Sequence, residues 1–215
     1  MPTIRPGGTG HRFEERLSGR IQRTRLGRVP GERGMDDTDA RSRRMIERFL
    51  ELLVDATALI PSSYFQLPVA GMRKPILRER VYCYELYHQL RALMERDGSF
   101  AECALNGEID KQGNPIIRPC SPDFVLHVPG RMQNFVILEV KPINGSDAGI
   151  RKDITTIEYF LSTEIGYTNG VHLVYGDGPI NRFVAAWQQR RPAADIDLVW
   201  HRQPGERAQR IKWNC

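Results

Sequence analysis

The sequence predicts an α/β domain built on a mixed central sheet, preceded by an N-terminal helix and a flexible basic arm. Apolar residues recur at helical spacing in two stretches before residue 97, and the pattern then changes to that of β-strands. Three strand-like stretches follow one another before a helical stretch returns the chain to the sheet. With 215 residues, 40% of them hydrophobic, the chain is long enough to bury a core.

The excess positive charge lies in the first 44 residues. These hold eleven arginines and six acidic residues, a net charge of +5, whereas the rest of the chain is neutral. They also hold seven of the 19 glycines and few large apolar residues, so they cannot bury enough surface to fold alone. We therefore predict a flexible arm over residues 1–44 and a folded domain over residues 45–215. The arm fits two roles equally well, neutralising nucleic-acid phosphates or acting as a solubilising tail.

Residues 45–60 and 77–96 are predicted to form two helices joined by a loop. Pro61 ends the first, and Asp97 with Gly98 closes the second. The apolar stripes that define them comprise Ile46, Phe49, Leu50, Leu53, Thr57 and Ile60, then Cys83, Leu86, Tyr87, Leu90, Leu93 and Met94.

Strands dominate the rest of the chain. The nearly continuous apolar run over residues 135–141 is typical of the buried centre of a sheet. The full prediction is strands over residues 102–109, 123–128, 135–141, 170–175 and 196–201, and helices over residues 148–164 and 180–190. Residues 203–215 are assigned to no element.

Composition excludes several classes of protein. No apolar run approaches the roughly 18–20 residues that cross a bilayer, and no apolar stretch typical of a secretory signal follows the first charges. The four cysteines contain no CxxC pair, which argues against a structural zinc site and against a disulfide framework: Cys83, Cys103, Cys120 and Cys215. We expect a cytoplasmic protein with no membrane partner.

Three charged residues lie at the ends of two neighbouring predicted strands. Asp123 begins one strand, and Glu139 and Lys141 end the next. Residues two apart share a face, about 6.6–6.8 Å apart along the strand. A short antiparallel connection would place Asp123 beside Glu139, so two carboxylates and a lysine converge.

This combination of side chains suits metal-assisted chemistry on phosphates. Two anionic oxygen ligands bind Mg²⁺, which keeps waters in its other positions, and a lysine can hold a water or a phosphate. The alternative is an aspartate cap and a strand-end Glu–Lys pair. Paired charges on a central strand seldom serve only solubility, so the functional interpretation is favoured.

The order of elements, with Pro122–Asp123 and Glu139–Val140–Lys141, resembles the PD-(D/E)XK nuclease superfamily over residues 78–201. The middle of the chain is also similar to small bacterial members with an acidic strand, a Pro-Asp strand ending in His, and an Asn-led Glu-x-Lys strand. Those segments are residues 106–111, 122–127 and 134–141.

The resemblance implies a restriction-endonuclease-like αβββαβ core and a set of site residues. Asp123 and Glu139 would be metal ligands, the main-chain carbonyl of Val140 a further ligand, and Lys141 the catalytic lysine. The implied metal is Mg²⁺, with Mn²⁺ as a substitute.

Two glutamates are candidates to complete the site. Many superfamily members place a glutamate on the first core helix, where this sequence has Glu85; a solvated helical glutamate is the alternative. Glu108 is the second candidate, as a further metal ligand, and its alternative is a strand-end charge opposite Lys111. Lys152 and Asp153 are interpreted as a helix-face charge pair, and His127 as a core histidine.

We therefore expect a Mg²⁺-dependent endonuclease acting on nucleic acid, with DNA favoured, and by resemblance a role in bacterial defence or restriction. An RNA-processing nuclease is another possibility. The alternative from a different class is a non-catalytic nucleic-acid-binding or assembly module of a defence or repair complex. Expected partners are DNA and either a second copy of the chain or a larger defence complex.

Overall fold

The structure, a computed structural model, describes residues 32–108, 121–190 and 196–212. Five helices lie in these ranges: α1 (Glu32–Ala58), α2 (Ser62–Phe65), α3 (Glu79–Asp97), α4 (Asp147–Phe160) and α5 (Asn181–Arg190). Six strands accompany them: β1 (Ala104–Gly107), β2 (Phe124–Val128), β3 (Gln133–Pro142), β4 (Tyr167–Tyr175), β5 (Ile196–His201) and β6 (Gln209–Ile211).

The strands form one sheet in the order β1-β2-β3-β4-β5-β6. The β1–β2, β2–β3 and β5–β6 pairs are antiparallel, whereas β4 is parallel to both β3 and β5. Each parallel connection contains a helix, α4 before β4 and α5 before β5, as parallel crossovers require. The α/β class with a mixed sheet, predicted from the sequence, is confirmed.

Helices cover both faces of the sheet, and β3 contributes to both layers. Its buried residues alternate: Val136, Leu138 and Val140 pack in the cluster that includes α1 and α3, and Ile137 in the cluster that includes α4 and α5. Burial on both faces explains why β3 is an almost unbroken apolar run. Charges on this strand therefore require specific partners.

The orientation of α4 is set by its first turn. Ser146 caps the helix, and its Oγ accepts a hydrogen bond from the Gly149 N–H at 3.1 Å. The stripe formed by Ile150, Ile154 and Ile157 then faces the sheet.

Three features differ from the sequence prediction. Helix α1 begins at Glu32, well before residue 45, because no proline interrupts residues 31–60 and arginine is a good helix former. Residues 1–31 of the predicted arm lie outside the described residues. The short elements α2 and β6 were not predicted, since four and three residues are too few to show a period. None of the helices in the described ranges is long and apolar enough to cross a membrane.

Candidate functional site

The predicted site residues meet where β2 begins and β3 ends. Phe124 pairs with Leu138 in the antiparallel register, so Asp123, just before β2, lies across from Glu139. Asp123 shares the face of Val125, and Glu139 and Lys141 share the face of Ile137, which in both strands is the α4 side. The structure therefore brings Asp123, Glu139 and Lys141 together.

Asp123 and Glu139 form a pair of neighbouring carboxyl groups, of which Glu139 is buried and Asp123 is half-buried. Asp123 Oδ2 accepts a hydrogen bond from the Val140 N–H at 2.7 Å, and the two carboxyl groups are hydrogen-bonded to each other. Burial raises the pKa of Asp123 to about 6, against the effect of the Val140 hydrogen bond. Burial, together with the charges of Asp123 and Asp153, raises the pKa of Glu139 well above its ordinary value. Both carboxyl groups thus occupy a site that disfavours two negative charges.

Lys141 is held by two further carboxylates. Its Nζ lies 2.7 Å from Glu79 Oε2 and 3.0 Å from Asp153 Oδ2, and its side chain is 13% exposed. Burial opposes the positive charge, but the two ion pairs outweigh it, so the pKa of Lys141 is raised. The aliphatic part packs against Gly145, which leaves room for it, since a Cβ there would stand 2.8 Å from Lys141 Cδ. The Lys141 side chain is therefore packed along its aliphatic part, and its ammonium group is held by two carboxylates.

A buried network lies behind Lys141. The Asp153 side chain is 2% exposed, and its Oδ2 stands 3.7 Å from Nε2 of the fully buried His172. Trp187 Nε1 donates to His172 Nδ1 at 3.1 Å, so Nδ1 is an acceptor and the imidazole proton lies on Nε2, which faces Asp153. The imidazole N–H therefore faces the carboxylate that anchors Lys141, at a distance longer than a hydrogen bond.

The two remaining glutamate candidates lie at or beyond the margin of this cluster. Glu85 accepts a hydrogen bond from Gln89 at 2.7 Å and does not line the cleft described below. Glu108 does line it, but its carboxylate is exposed and pairs with Arg80 at 3.0 Å. Glu79 is the glutamate of α3 that reaches the cluster; six residues further on, the helix has turned by about 240°, which carries Glu85 to another face.

Glu79, Asp153 and His172 are the residues that sequence reasoning missed. The interpretation of Asp153 as part of a helix-face charge pair is wrong, because its side chain is buried against Lys141. Its position three residues after Ile150, within the apolar stripe of α4, was the available signal. For His172 the available signal was its position inside an apolar strand, where it pairs with Glu139 of β3. For Glu79 no sequence pattern indicated a role.

A cleft of about 710 Å³ opens beside Asp123. It is lined by α3, the end of β1 and the first turns of α4. Basic and aromatic side chains share it with Glu79 and Asp123, among them Arg80, Tyr84, Tyr87 and Lys152. The cleft therefore combines three carboxylates, of Glu79, Glu108 and Asp123, with two cations and two tyrosines. Once a cation neutralises part of the acidic charge, this lining suits a phosphate-containing ligand.

The donor set fits a hard divalent cation such as Mg²⁺ or Mn²⁺. In the described ranges, no three His, Cys, Asp or Glu side chains are grouped to hold a metal ion. Asp123 and Glu139 supply two carboxylates, and the carbonyl of Val140 faces the same side of β3 as its N–H, toward Asp123. One or two carboxylates completed by water and substrate phosphate is the usual protein site for Mg²⁺.

Comparisons with protein-family models, with curated proteins and with solved structures give no match for this chain.

The carboxyl pair gives a stability prediction. Above about pH 6, ionised Asp123 destabilises the fold; below its ordinary pKa of 3.8 it is protonated in the folded and unfolded states alike, and the penalty is absent. Asp123→Asn keeps an acceptor for the Val140 N–H and removes the charge. We expect the metal-free variant to be more stable at neutral pH, by at most about 3 kcal/mol, with the gain shrinking as the pH falls below 6.

Thermal melting of both proteins in EDTA across this pH range measures the effect. Asp39→Asn, at an exposed carboxylate paired with Arg43, is the matched control and should leave the melting temperature nearly unchanged. A wild type as stable as Asp123→Asn at neutral pH would contradict the prediction.

Proposed function

We propose that the protein is a metal-dependent nuclease that hydrolyses phosphodiester bonds in DNA, built on a PD-(D/E)XK-like core. The order α3-β1-β2-β3-α4-β4 supports this proposal, as does the position of the site on β2 and β3. The observation that carries it is the convergence of Asp123, Glu139 and Lys141 on one face at the edge of an open, partly basic cleft.

In the proposed reaction, Asp123, Glu139 and the Val140 carbonyl would hold Mg²⁺, which when bound would supply an activated water and neutralise charge on the phosphate. Lys141 supplies the positioned cation. An ammonium group has three donors, and Glu79 and Asp153 take two of them, which leaves one for the attacking water or a phosphate oxygen. Asp153 holds the lysine from the buried side, and Glu79, 37% exposed, holds it from the cleft.

Incubation of the 215-residue chain with plasmid, linear duplex and single-stranded DNA, and with RNA, tests the proposal. We expect cleavage of DNA with Mg²⁺ or Mn²⁺ and none in EDTA. Ca²⁺ should support binding but not cleavage, because its looser coordination orients the water poorly. Activity that survives EDTA would contradict a metal-dependent mechanism.

The second candidate is a non-catalytic nucleic-acid-binding or assembly module on the same core. One observation favours it: Lys141 makes ion pairs with both Glu79 and Asp153, as expected of a lysine that only stabilises the fold. DNA binding without cleavage across all four substrates and all metals would support this candidate and refute the nuclease.

A further inference from the structure

One face of α3 turns an aromatic and basic strip toward the cleft. Arg80, Tyr84 and Tyr87, spaced four and three residues apart, all line the cavity that contains Asp123. Tyr84 is 62% exposed, an unusually large aromatic surface to leave in water on a helix that buries its opposite stripe. The strip lies close to the candidate site, since its three residues and Asp123 line the same cavity.

The two tyrosines of the strip are held differently. The Tyr87 ring stacks on Phe124 with centroids 6.1 Å apart and planes 13° apart, so it is anchored to β2. Tyr84 makes no ring contact with the part of the chain that the structure describes. It therefore presents an uncovered aromatic face, on a well-packed helix, to a ligand that enters the cleft.

Two cations line the same cleft as Tyr84. Lys152 on α4 is exposed, and Arg80 is one helical turn before Tyr84. The ion pair between Arg80 and Glu108 is exposed, so it contributes little and a phosphate can compete for the guanidinium. Proteins that bind single-stranded nucleic acid commonly combine an exposed aromatic ring, on which a base stacks, with cations that contact the phosphates.

We infer that Tyr84 is a stacking platform for an unpaired nucleobase, and that the cleft takes single-stranded DNA or an unpaired segment within a duplex. A base inside a duplex has both faces covered by its neighbours and cannot stack on Tyr84 without leaving the helix. This inference rests on the proposed nuclease function and narrows its substrate class.

Binding in EDTA tests the platform without requiring cleavage. The ligands are a fluorescently labelled single-stranded oligonucleotide, the same strand with abasic sites, and a blunt duplex made by annealing that strand to its full complement. We expect wild type to bind the normal strand best, and Tyr84→Ala to weaken that binding by roughly 5- to 150-fold, the usual effect of losing one base–aromatic stack. Binding of the abasic strand should change little, because only phosphate contacts remain.

Substitutions at Tyr84 and Tyr64 separate stacking from general effects. Tyr84→Phe and Tyr84→Trp should retain binding, whereas Tyr84→Leu should lose it although it keeps an apolar side chain. Tyr64→Ala, at an exposed tyrosine of α2 that does not line the cleft, is the matched control and should bind like wild type.

Equal loss of normal and abasic strands in Tyr84→Ala, or a preference of wild type for the blunt duplex, would overturn the inference. The binding test does not depend on cleavage, so the two proposals can fail separately. If the protein binds the oligonucleotides as expected but cuts no substrate in the cleavage assay, the nuclease proposal is refuted and the stacking role of Tyr84 stands.

Discussion

Glu139→Gln is expected to abolish DNA cleavage while leaving the protein folded. The glutamine is nearly isosteric and neutral, and it resembles the protonated form that burial and the neighbouring charges favour at this position. Metal-free stability should therefore be equal to or greater than that of wild type. Cleavage should fall by about 10³-fold or more, because a bound cation contributes several kcal/mol of charge stabilisation in phosphoryl chemistry.

Initial cleavage rates at saturating Mg²⁺, together with melting curves with and without the metal, measure both effects. Mg²⁺ should raise the melting temperature of wild type but not that of Glu139→Gln, since the variant has lost a charged ligand. The control is Glu95→Gln, near the far end of α3, where the carboxylate is exposed and pairs with Arg91. If Glu139→Gln cleaves DNA at the rate of wild type, Glu139 is not a metal ligand.

The central part of the fold could be predicted because its signals are local. The apolar run of β3 predicts a strand buried on both faces, and α3 and α4 show stripes at helical spacing. The juxtaposition of Asp123 and Glu139 also follows from local information. Two strands joined by a short antiparallel connection determine which residues lie opposite each other, and alternation along each strand determines the face.

The supporting residues could not be predicted in the same way. Glu79 and Lys141 are 62 positions apart and meet only because α3 packs across the sheet with its first turn at the end of β3. His172 and Trp187 meet through the packing of α5 on β4. Such contacts depend on how layers pack, and a single sequence carries no pattern for them. Asp153 is the exception, since a carboxylate within an apolar helical stripe signals a buried partner.

Lys141→Ala is expected to lower the free energy of unfolding by about 3–5 kcal/mol, because it leaves the buried Asp153 carboxylate without its countercharge. For a domain of this size that corresponds to a melting temperature lower by roughly 6–20 °C. Loss of cleavage in this variant would therefore not by itself identify a catalytic role. Lys212→Ala, at an exposed lysine following β6, is the control and should melt like wild type.

The double variant Lys141→Ala/Asp153→Asn separates the two roles of the lysine. Asparagine removes the buried charge, so most of the lost stability should return. Cleavage should remain reduced by at least about 10²-fold, because no ammonium group remains to hold the water or the phosphate. Asp153→Asn alone should have a cleavage rate between those of wild type and the double variant. The amide oxygen of the asparagine still accepts a hydrogen bond from Lys141, and Glu79 still pairs with Lys141. A double variant that regains both stability and full cleavage would show that Lys141 serves the fold and not the reaction.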